Sequence, residues 1–297
     1  MNILLILNKS GYGTGEYFEK YFRRNHTVTT VGDLFNDKVT IDIHSQEPYK
    51  VAASIVKERN IDVLIEVESG GIPWEHVPVE INIPKIYYAI DSHISLEGHK
   101  IHAKAFDHVF LAQKKYISPV QSSCPNGKVK WLPLGCDPEI HTSSDFYNRN
   151  SAIAFVGNHS HSGHARRQLY MFYLYGKVKT AFTKGIYGRE MGDYYAGYSF
   201  AFNCSLNDDL NMRVFETMGC GCLLFTDRLS SESGLDDFFI DKEHLILYNN
   251  ESELLELVQY YQNHIDDGIE IAKNGQKEVH LNHSYEKRAQ EILSCLN

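Results

Sequence analysis

Asp208, Arg213 and Glu216 fall within Asn203–Asp227, NCSLNDDLNMRVFETMGCGCLLFTD, and bring two carboxylates and a guanidinium into one short stretch beside the amide of Asn207. Carboxylates and amides hydrogen-bond the hydroxyls of a sugar or ribose, and a guanidinium meets phosphate oxygens with a planar fork of donors. The set suits a sugar nucleotide. The surrounding pattern predicts how it is held. Tyr198–Cys204 reads as a buried strand and Asp208 and Asp209 as caps of a helix over Leu210–Met218. Gly219-Cys220-Gly221 ends that helix before a second strand, Cys222–Phe225. The loop then lies at the carboxyl edge of a sheet, where open α/β folds bind ligands and a helix start favours phosphate. Leu210, Val214 and Met218 make the helix's apolar stripe, with Asp209, Arg213 and Glu216 on the opposite face. The plain alternative is a solvated Arg213–Glu216 ion pair, worth only about 0.2–0.5 kcal/mol.

Three further segments carry candidate chemistry. Gly11-Tyr12-Gly13-Thr14-Gly15 follows the first predicted strand and opens a helix, so Gly11, Gly13 and Gly15 can bring backbone N–H groups to an acceptor or a phosphate. The segment departs from both the dinucleotide fingerprint and the lysine-bearing phosphate loop, and a close turn without ligand explains it equally well. Asp91-Ser92-His93 follows the strand Lys85–Ile90, where a carboxylate and an imidazole can position an acceptor hydroxyl and take its proton. Otherwise Asp91 caps the next helix. Asn158 opens a polar loop after the strand Ala152–Val156 that contains His159, His161 and His164. Three imidazoles can bind zinc, but no carboxylate or cysteine completes a recognised ligand pattern, so no metal site is expected. Arg166 and Arg167, at the next helix start, can meet a diphosphate or stand solvated.

The elements that must position these groups alternate. Apolar runs at Ile3–Leu7, Val28–Val31, Val63–Val67, Ile86–Ile90, Val109–Ala112 and Val129–Leu132 are separated by helical stretches at Tyr17–Arg24, Tyr49–Arg59, Gly98–Phe106 and Gln113–Ser118. This is the pattern of parallel βα units. It restarts at Ala152–Val156 and continues through Val178–Phe182, Phe200–Asn203, Leu223–Thr226 and Leu245–Tyr248. The polar, turn-rich stretch Asp137–Asn150 reads as the link. The expected organisation is a first Rossmann-like domain over 1–140, a linker over 141–150, a second domain over 151–280 and a terminal helix over 281–297. From Glu251 onward the chain reads as helical.

Composition narrows the classes. A chain of 297 residues has room for two cores without disulfide staples, and its six cysteines fit no paired ligand spacing, which favours a reducing cytoplasm. Met1 leads directly into a short apolar strand without the basic flank of a signal peptide, and no apolar run reaches membrane-spanning length. A formal net charge of -9 opposes a nonspecific grip on nucleic acid, so no nucleic-acid partner is expected. No DxD triplet occurs, which speaks against a metal-bound diphosphate.

FVGN at Phe155–Asn158, SLNDDLNMRVFETMGCGCLLFTD, ELLELVQYYQNH, IAKNG and the terminal HSYEKR together resemble the CgeB-like glycosyltransferases, a branch of the GT-B superfamily. The first half is similar more loosely, through DSH, HVFLAQKKY and WLPLGCDPE. The resemblance implies an α/β, GT-B-like fold with two Rossmann-like parallel-sheet domains facing across a cleft and a C-terminal helix crossing back to the first. It implies a nucleoside diphosphate sugar as donor substrate, held mainly by the second domain, and a glycan, protein or small-molecule acceptor entering through the first. No cofactor or metal is implied. In retaining members an acidic pair with the spacing of Asp208 and Glu216 contacts the donor, the first residue at the sugar and the second at the ribose. Here Asp208 stands where glutamate is usual. Catalytic roles then fall to Asp91, His93 and Asp208, and donor contacts to Asn158, Arg166, Asn207, Asp208, Arg213 and Glu216. A noncatalytic nucleotide-sugar-binding or surface-layer or spore assembly protein, and a nucleotide-sugar epimerase, are the alternatives on the same architecture.

Overall fold

Runs of aliphatic, β-branched and aromatic residues too short for helices become strands, and the helical stretches between them make the crossovers that parallel strands require. The computed structural model describes residues 1–7, 13–31, 48–68, 81–158 and 164–296. The chain divides into two units, Met1–Pro133 with Tyr285–Asn297, and Leu134–Ser284.

The first unit holds β1 (Asn2–Ile6), α1 (Thr14–Phe22), β2 (Thr27–Val31), α2 (Pro48–Arg59), β3 (Val63–Val67), β4 (Lys85–Ala89), α3 (Ser92–His102), β5 (His108–Leu111), α4 (Ile117–Ser123) and β6 (Lys128–Trp131). Its six strands run in the order β2-β1-β3-β4-β5-β6, every pair parallel. Strand β3 is buried at every position, as a central parallel strand covered on both faces must be. Leu4, Ile6, Leu64, Tyr87, Val109 and Leu111 belong to its core. The terminal helix, which follows the second unit in the chain, also packs here, with the Tyr285 ring stacked on Tyr17 at 4.8 Å and Arg288 Nε donating to the Pro133 carbonyl at 2.8 Å.

The second unit holds β7 (Asn150–Val156), α5 (Ala165–Leu174), β8 (Thr180–Thr183), α6 (Gly188–Ala196), β9 (Tyr198–Phe202), α7 (Met212–Gly219), β10 (Leu223–Asp227), β11 (Ile246–Tyr248), α8 (Glu251–Asn263) and α9 (Ile265–Asn282), and α10 (Tyr285–Ser294) is the terminal helix just described. Its sheet is parallel throughout, in the order β11-β10-β9-β7-β8. Phe155, Phe202, Phe225, Tyr248 and Leu254 lie in its core. The order reverses between β7 and β9, so the connections leave their carboxyl ends in opposite directions and open a crevice there.

Several elements depart from the sequence reading. Asp137–Asn150 is no free linker: Asp137 and His141 are wholly buried in the second unit, and Arg149 donates to the Tyr198 and Gly221 carbonyls at 3.2 and 2.7 Å. Much of the rest is exposed, Thr142, Ser144, Asp145 and Asn148 among it, so composition gave no sign of the two buried residues. Helix α3 starts at Ser92 rather than Gly98, and α6 has no counterpart among the predicted helices. The tail is three helices broken at His264 and His283. All six cysteines are free and five are buried. No helix among the described residues is long and apolar enough to cross a membrane.

Candidate functional site

Two arginines span the β7/β9 crevice. Arg213, in the first turn of α7, donates through Nε to the Val156 carbonyl at 3.0 Å and through a terminal nitrogen to Asn203 Oδ1 at 3.0 Å. Val156 ends β7 and Asn203 follows β9, so this side chain ties the two strand ends together. Arg167, in the first turn of α5, does the same by another route, donating to the Asn158 carbonyl at 2.8 Å and the Cys204 carbonyl at 3.1 Å. Gly157 makes room for this arrangement. A Cβ there would stand 2.5 Å from an Arg213 terminal nitrogen, and its φ of +154° is a conformation that L side chains rarely adopt.

These contacts overturn the solvated ion pair. Arg213 makes no ion pair with Glu216, and Glu216 is only 4% exposed. Burial drives the Glu216 carboxyl up to about 7, against the opposing pull of the Arg213 charge. Its Oε1 lies 3.7 Å from Nε2 of His141. Arg167 is also buried, and first its burial and then the Arg213 charge bring its guanidinium down to about 10. Its hydrogen bonds go to carbonyls and to the His164 ring at 3.5 Å, so no carboxylate among its partners neutralises it. Guanidinium groups buried on neutral acceptors leave a local positive field that an anion can satisfy.

The helix itself begins later than its sequence signals. Asn211, in extended backbone, is the N-cap of α7, and Asp208 and Asp209 lie outside the helix. Asp209 Oδ1 accepts from the Leu206 N–H at 2.8 Å and more weakly from the Asn207 N–H at 3.4 Å, closing the turn before the helix. Asp208 sits at φ 60° and turns its carboxylate to Ser230, accepting from the Ser230 N–H at 2.8 Å and from its hydroxyl. The side chain of Asp208 is thus held by the loop after β10, while that of exposed Asn207 is left at the surface.

Arg166 is not aimed at the crevice between Asn158 and Cys204 as Arg167 is. Its guanidinium pairs with Asp227 at 2.7 Å at the end of β10. Asp227, 1% exposed, also accepts from the Ser205 N–H at 2.9 Å and hydroxyl at 2.6 Å. This carboxylate joins the β9 and β10 ends and fixes Arg166 at the rim.

In the first unit Asp91 follows β4 and is exposed. It occupies the N-cap position of α3, yet its side chain makes no capping bond; its carbonyl accepts from the Ile94 and Ser95 N–H groups instead. Its backbone is fixed from β3: the Glu68 carboxylate accepts from the N–H groups of Ile90 and Asp91 and lies 3.0 Å from His99 Nε2. Burial pushes the Glu68 carboxyl up, but the bonds from His99 and the two backbone groups outweigh it and hold it below its ordinary range. His99 in turn contacts Ser92 Oγ at 2.9 Å. His93 is half-buried, and its enclosed Nδ1 finds no hydrogen-bond partner among the described residues. Asp91 and the first turn of α3, which carries His93, therefore follow a stiffened strand end.

The glycine segment is explained largely by packing. The Gly13 N–H donates to Glu16 at 2.6 Å, and a Cβ on Gly15 would meet Leu7 Cβ at 2.7 Å, so α1 can approach β1 only with glycine there. Gly11 lies outside the described residues, as do His159 and His161 of the histidine loop; His164 is the N-cap of α5. Among the described residues no group of three or more histidines, cysteines or acids is placed to hold a metal.

Sequence reasoning named Arg167 beside Arg166 without foreseeing its burial or its carbonyl partners, and it missed Asn203 and His141 as partners in the site. A signal for Arg167 was present: it shares the buried stripe of α5 with Tyr170, Met171 and Leu174, and a guanidinium on a core-facing stripe calls for partners. The burial of His141 depends on long-range packing and left no such local mark.

A family model described as glycosyl transferase-like matches residues 156–294, which include the β7 end, α5, α7 and β10. No curated protein matches the chain by sequence. Among solved structures, sucrose-phosphate synthase from Thermosynechococcus elongatus is similar over 100% of this chain and 98% of its own at 13% identity, with a TM-score of 0.68. HepE of Anabaena in complex with UDP-glucose is similar over 100% and 99% at 11% identity, TM-score 0.67. The β-glucosyltransferase of phage T4 is similar over 99% of each chain at 13% identity, TM-score 0.66. The fold is the two-domain α/β architecture of GT-B enzymes.

Proposed function

We propose that the protein is a glycosyltransferase that moves a sugar from a nucleoside diphosphate sugar to an acceptor hydroxyl. The observation that supports this best is the pair Arg167 and Arg213, two partly or wholly buried guanidiniums bonded to neutral acceptors across the strand-order reversal of the second unit. A diphosphate supplies the missing negative charge. On this reading the arginines hold the donor's diphosphate and stabilise the charge that grows on it as the sugar leaves. Arg166 serves the rim, Asn158 and Asn207 flank the donor, and Glu216 accepts from the ribose hydroxyls. The similarity to HepE, solved with UDP-glucose, and the glycosyl transferase-like family match agree with this assignment.

Asp91 or His93 takes the acceptor's proton as the new glycosidic bond forms. The acidic pair Asp208 and Glu216 favours retention of configuration, with Asp208 near the sugar once its bonds to Ser230 loosen. The diphosphate is neutralised by cationic side chains and the start of α7, without a bound metal. The CgeB-like branch is the subfamily that the RVFETMGCG core fits.

The test is donor turnover. The protein is incubated with a panel of nucleoside diphosphate sugars with and without simple glycan acceptors, and released nucleoside diphosphate and transferred sugar are quantified. Release of diphosphate with free or transferred sugar supports a transferase. Binding without turnover for every donor points to the noncatalytic alternative, and recovery of an isomerised sugar nucleotide points to an epimerase. Activity is expected to survive a chelator; loss that one divalent ion restores would overturn the metal-free reading.

A further inference from the structure

Glu216 faces a buried imidazole whose proton can be located from its bonds. The Asp137 N–H donates to His141 Nδ1 at 3.0 Å, so Nδ1 holds a lone pair and the neutral ring carries its proton on Nε2. That nitrogen lies 3.7 Å from Glu216 Oε1, and both atoms are shut off from solvent. Protonating Nδ1 would set two N–H groups against each other, so His141 is held in one neutral tautomer. The segment is fixed from two sides: the His141 N–H donates to the Asp137 carbonyl at 2.7 Å, and the His141 carbonyl lies 2.8 Å from His280 Nε2 on α9.

We infer that His141 is a positioning residue that holds Glu216 as an oriented, ionised acceptor for ribose hydroxyls, and thereby sets the pH above which a ribonucleotide is distinguished from its deoxy analogue. The inference rests on the ribose role proposed for Glu216. A protonated carboxyl loses one acceptor oxygen and keeps a proton that competes for the other, whereas a carboxylate can accept both hydroxyls. An N–H dipole beside the carboxylate favours the charged form. The other groups that act on Glu216 are Arg213 and Cys220 of α7 and its end, and Tyr195 of α6, whose hydroxyl accepts from the Val156 N–H at 2.8 Å. Arg213 also favours the charged form, but its donors are engaged by Val156 and Asn203. His141 is the group that faces Oε1 from the chain entering this unit.

The experiment measures affinities of UDP and of 2′-deoxy-UDP by calorimetry from about pH 6 to about pH 8.5, the range in which a carboxyl raised by burial ionises. The proteins are the wild type, His141→Leu and His141→Gln, and the wild-type His141 tautomer is read by nitrogen NMR. In the wild type the preference for UDP grows with pH to roughly 10-fold or more, the worth of a hydrogen bond to a charged group. His141→Leu moves the midpoint of that growth upward by about half a pH unit or more, as loss of a favourable dipole requires. His141→Gln, which retains an N–H donor, stays closer to the wild type. An unshifted midpoint in folded His141→Leu overturns the role of His141 while leaving the ribose reading intact. Equal affinities for UDP and 2′-deoxy-UDP at every pH in the wild type defeat the ribose reading itself. If His141→Leu does not fold, a proton on Nδ1 rather than Nε2 in the wild type is sufficient to overturn the inference.

Discussion

Arg167 and Arg213 share one aromatic ring: their guanidinium carbons lie 5.4 and 4.6 Å from the centre of Phe155. The ring's negative face offsets part of the cost of bringing two like charges together, a contribution of about 0.5–2 kcal/mol per cation. The rest of the repulsion is still felt, since the charge on Arg213 helps depress the basicity of Arg167. Phe155→Leu should therefore weaken nucleoside diphosphate binding by several fold with little effect on bare nucleoside. Unchanged affinity in a folded Phe155→Leu protein would show that the ring only packs.

Gly157→Ala tests the room that this arrangement needs. The new methyl would meet the Arg213 guanidinium at 2.5 Å on backbone of positive φ. The variant should lose about 1–3 kcal/mol of stability in urea unfolding, the usual cost of such strain, and should bind diphosphate worse than its residual folded fraction explains. A variant with normal melting and normal binding would mean that Arg213 moves aside without consequence.

Asp227 and Arg166 should prove unequal partners. Asp227 is buried and accepts four bonds, from Arg166, the Ser205 N–H and hydroxyl, and more weakly the Thr226 hydroxyl, while the Arg166 side chain is 48% exposed. Asp227→Asn forces an amide into a site built for a charged acceptor and is expected to cost about 1–3 kcal/mol, as for leaving buried hydrogen-bond groups poorly matched. Arg166→Ala should cost clearly less, because the two Ser205 bonds remain. Equal losses in denaturant titrations would contradict the view that Asp227 is the structural anchor of the strand ends.

Much of the fold was legible because its strands are short, apolar and regularly spaced. Ile3–Leu7 and Val63–Val67 needed only alternation with helices to be read as parallel strands, and the terminal helix was expected to return to the first unit, where Tyr285 now stacks on Tyr17. The candidate site was only partly legible. Arg213 and Glu216 were marked by type and spacing, yet the helix wheel put them on a solvated face, because a wheel describes one helix and says nothing of what packs on its polar side. Glu216 is buried by His141, a residue 75 positions earlier in a stretch whose composition resembled a linker. Asp208 and Asp209 carry the residue types of helix caps, but their side chains serve Ser230 and the turn at Leu206.

The carboxyl of Glu216 also leaves a mark on stability. Its folded pKa, about 7, lies above that of an unfolded glutamate. The native state therefore holds this proton more tightly, a contribution fully present at low pH and lost as pH rises from the unfolded value through about 7. Glu216→Gln, which cannot ionise, should gain stability relative to the wild type as pH rises from about 5 to 8, by up to about 3 kcal/mol. Parallel denaturation curves for the two proteins across that range would show that the buried carboxyl does not titrate there.

In the first unit, Asp91→Asn and His93→Ala should each depress sugar transfer by about 100-fold, the scale of general-base catalysis. Because the Asp91 side chain makes no capping bond, Asp91→Asn should cost less than the ~1 kcal/mol typical of a lost cap. Glu68→Gln should behave in the opposite sense, lowering the melting temperature through the Ile90, Asp91 and His99 contacts. Full turnover by both Asp91→Asn and His93→Ala would remove the segment from the active site.

Calorimetry of Arg167→Ala and Arg213→Ala with UDP and with uridine decides whether buried Arg167 and half-buried Arg213 receive the diphosphate of a sugar nucleotide. Each substitution removes charge-assisted bonds and should weaken UDP by roughly 10- to 100-fold, equivalent to about 1.5–3 kcal/mol, while uridine affinity changes little. UDP binding that is unaltered in both folded variants, or lost in parallel with uridine binding, would contradict the account.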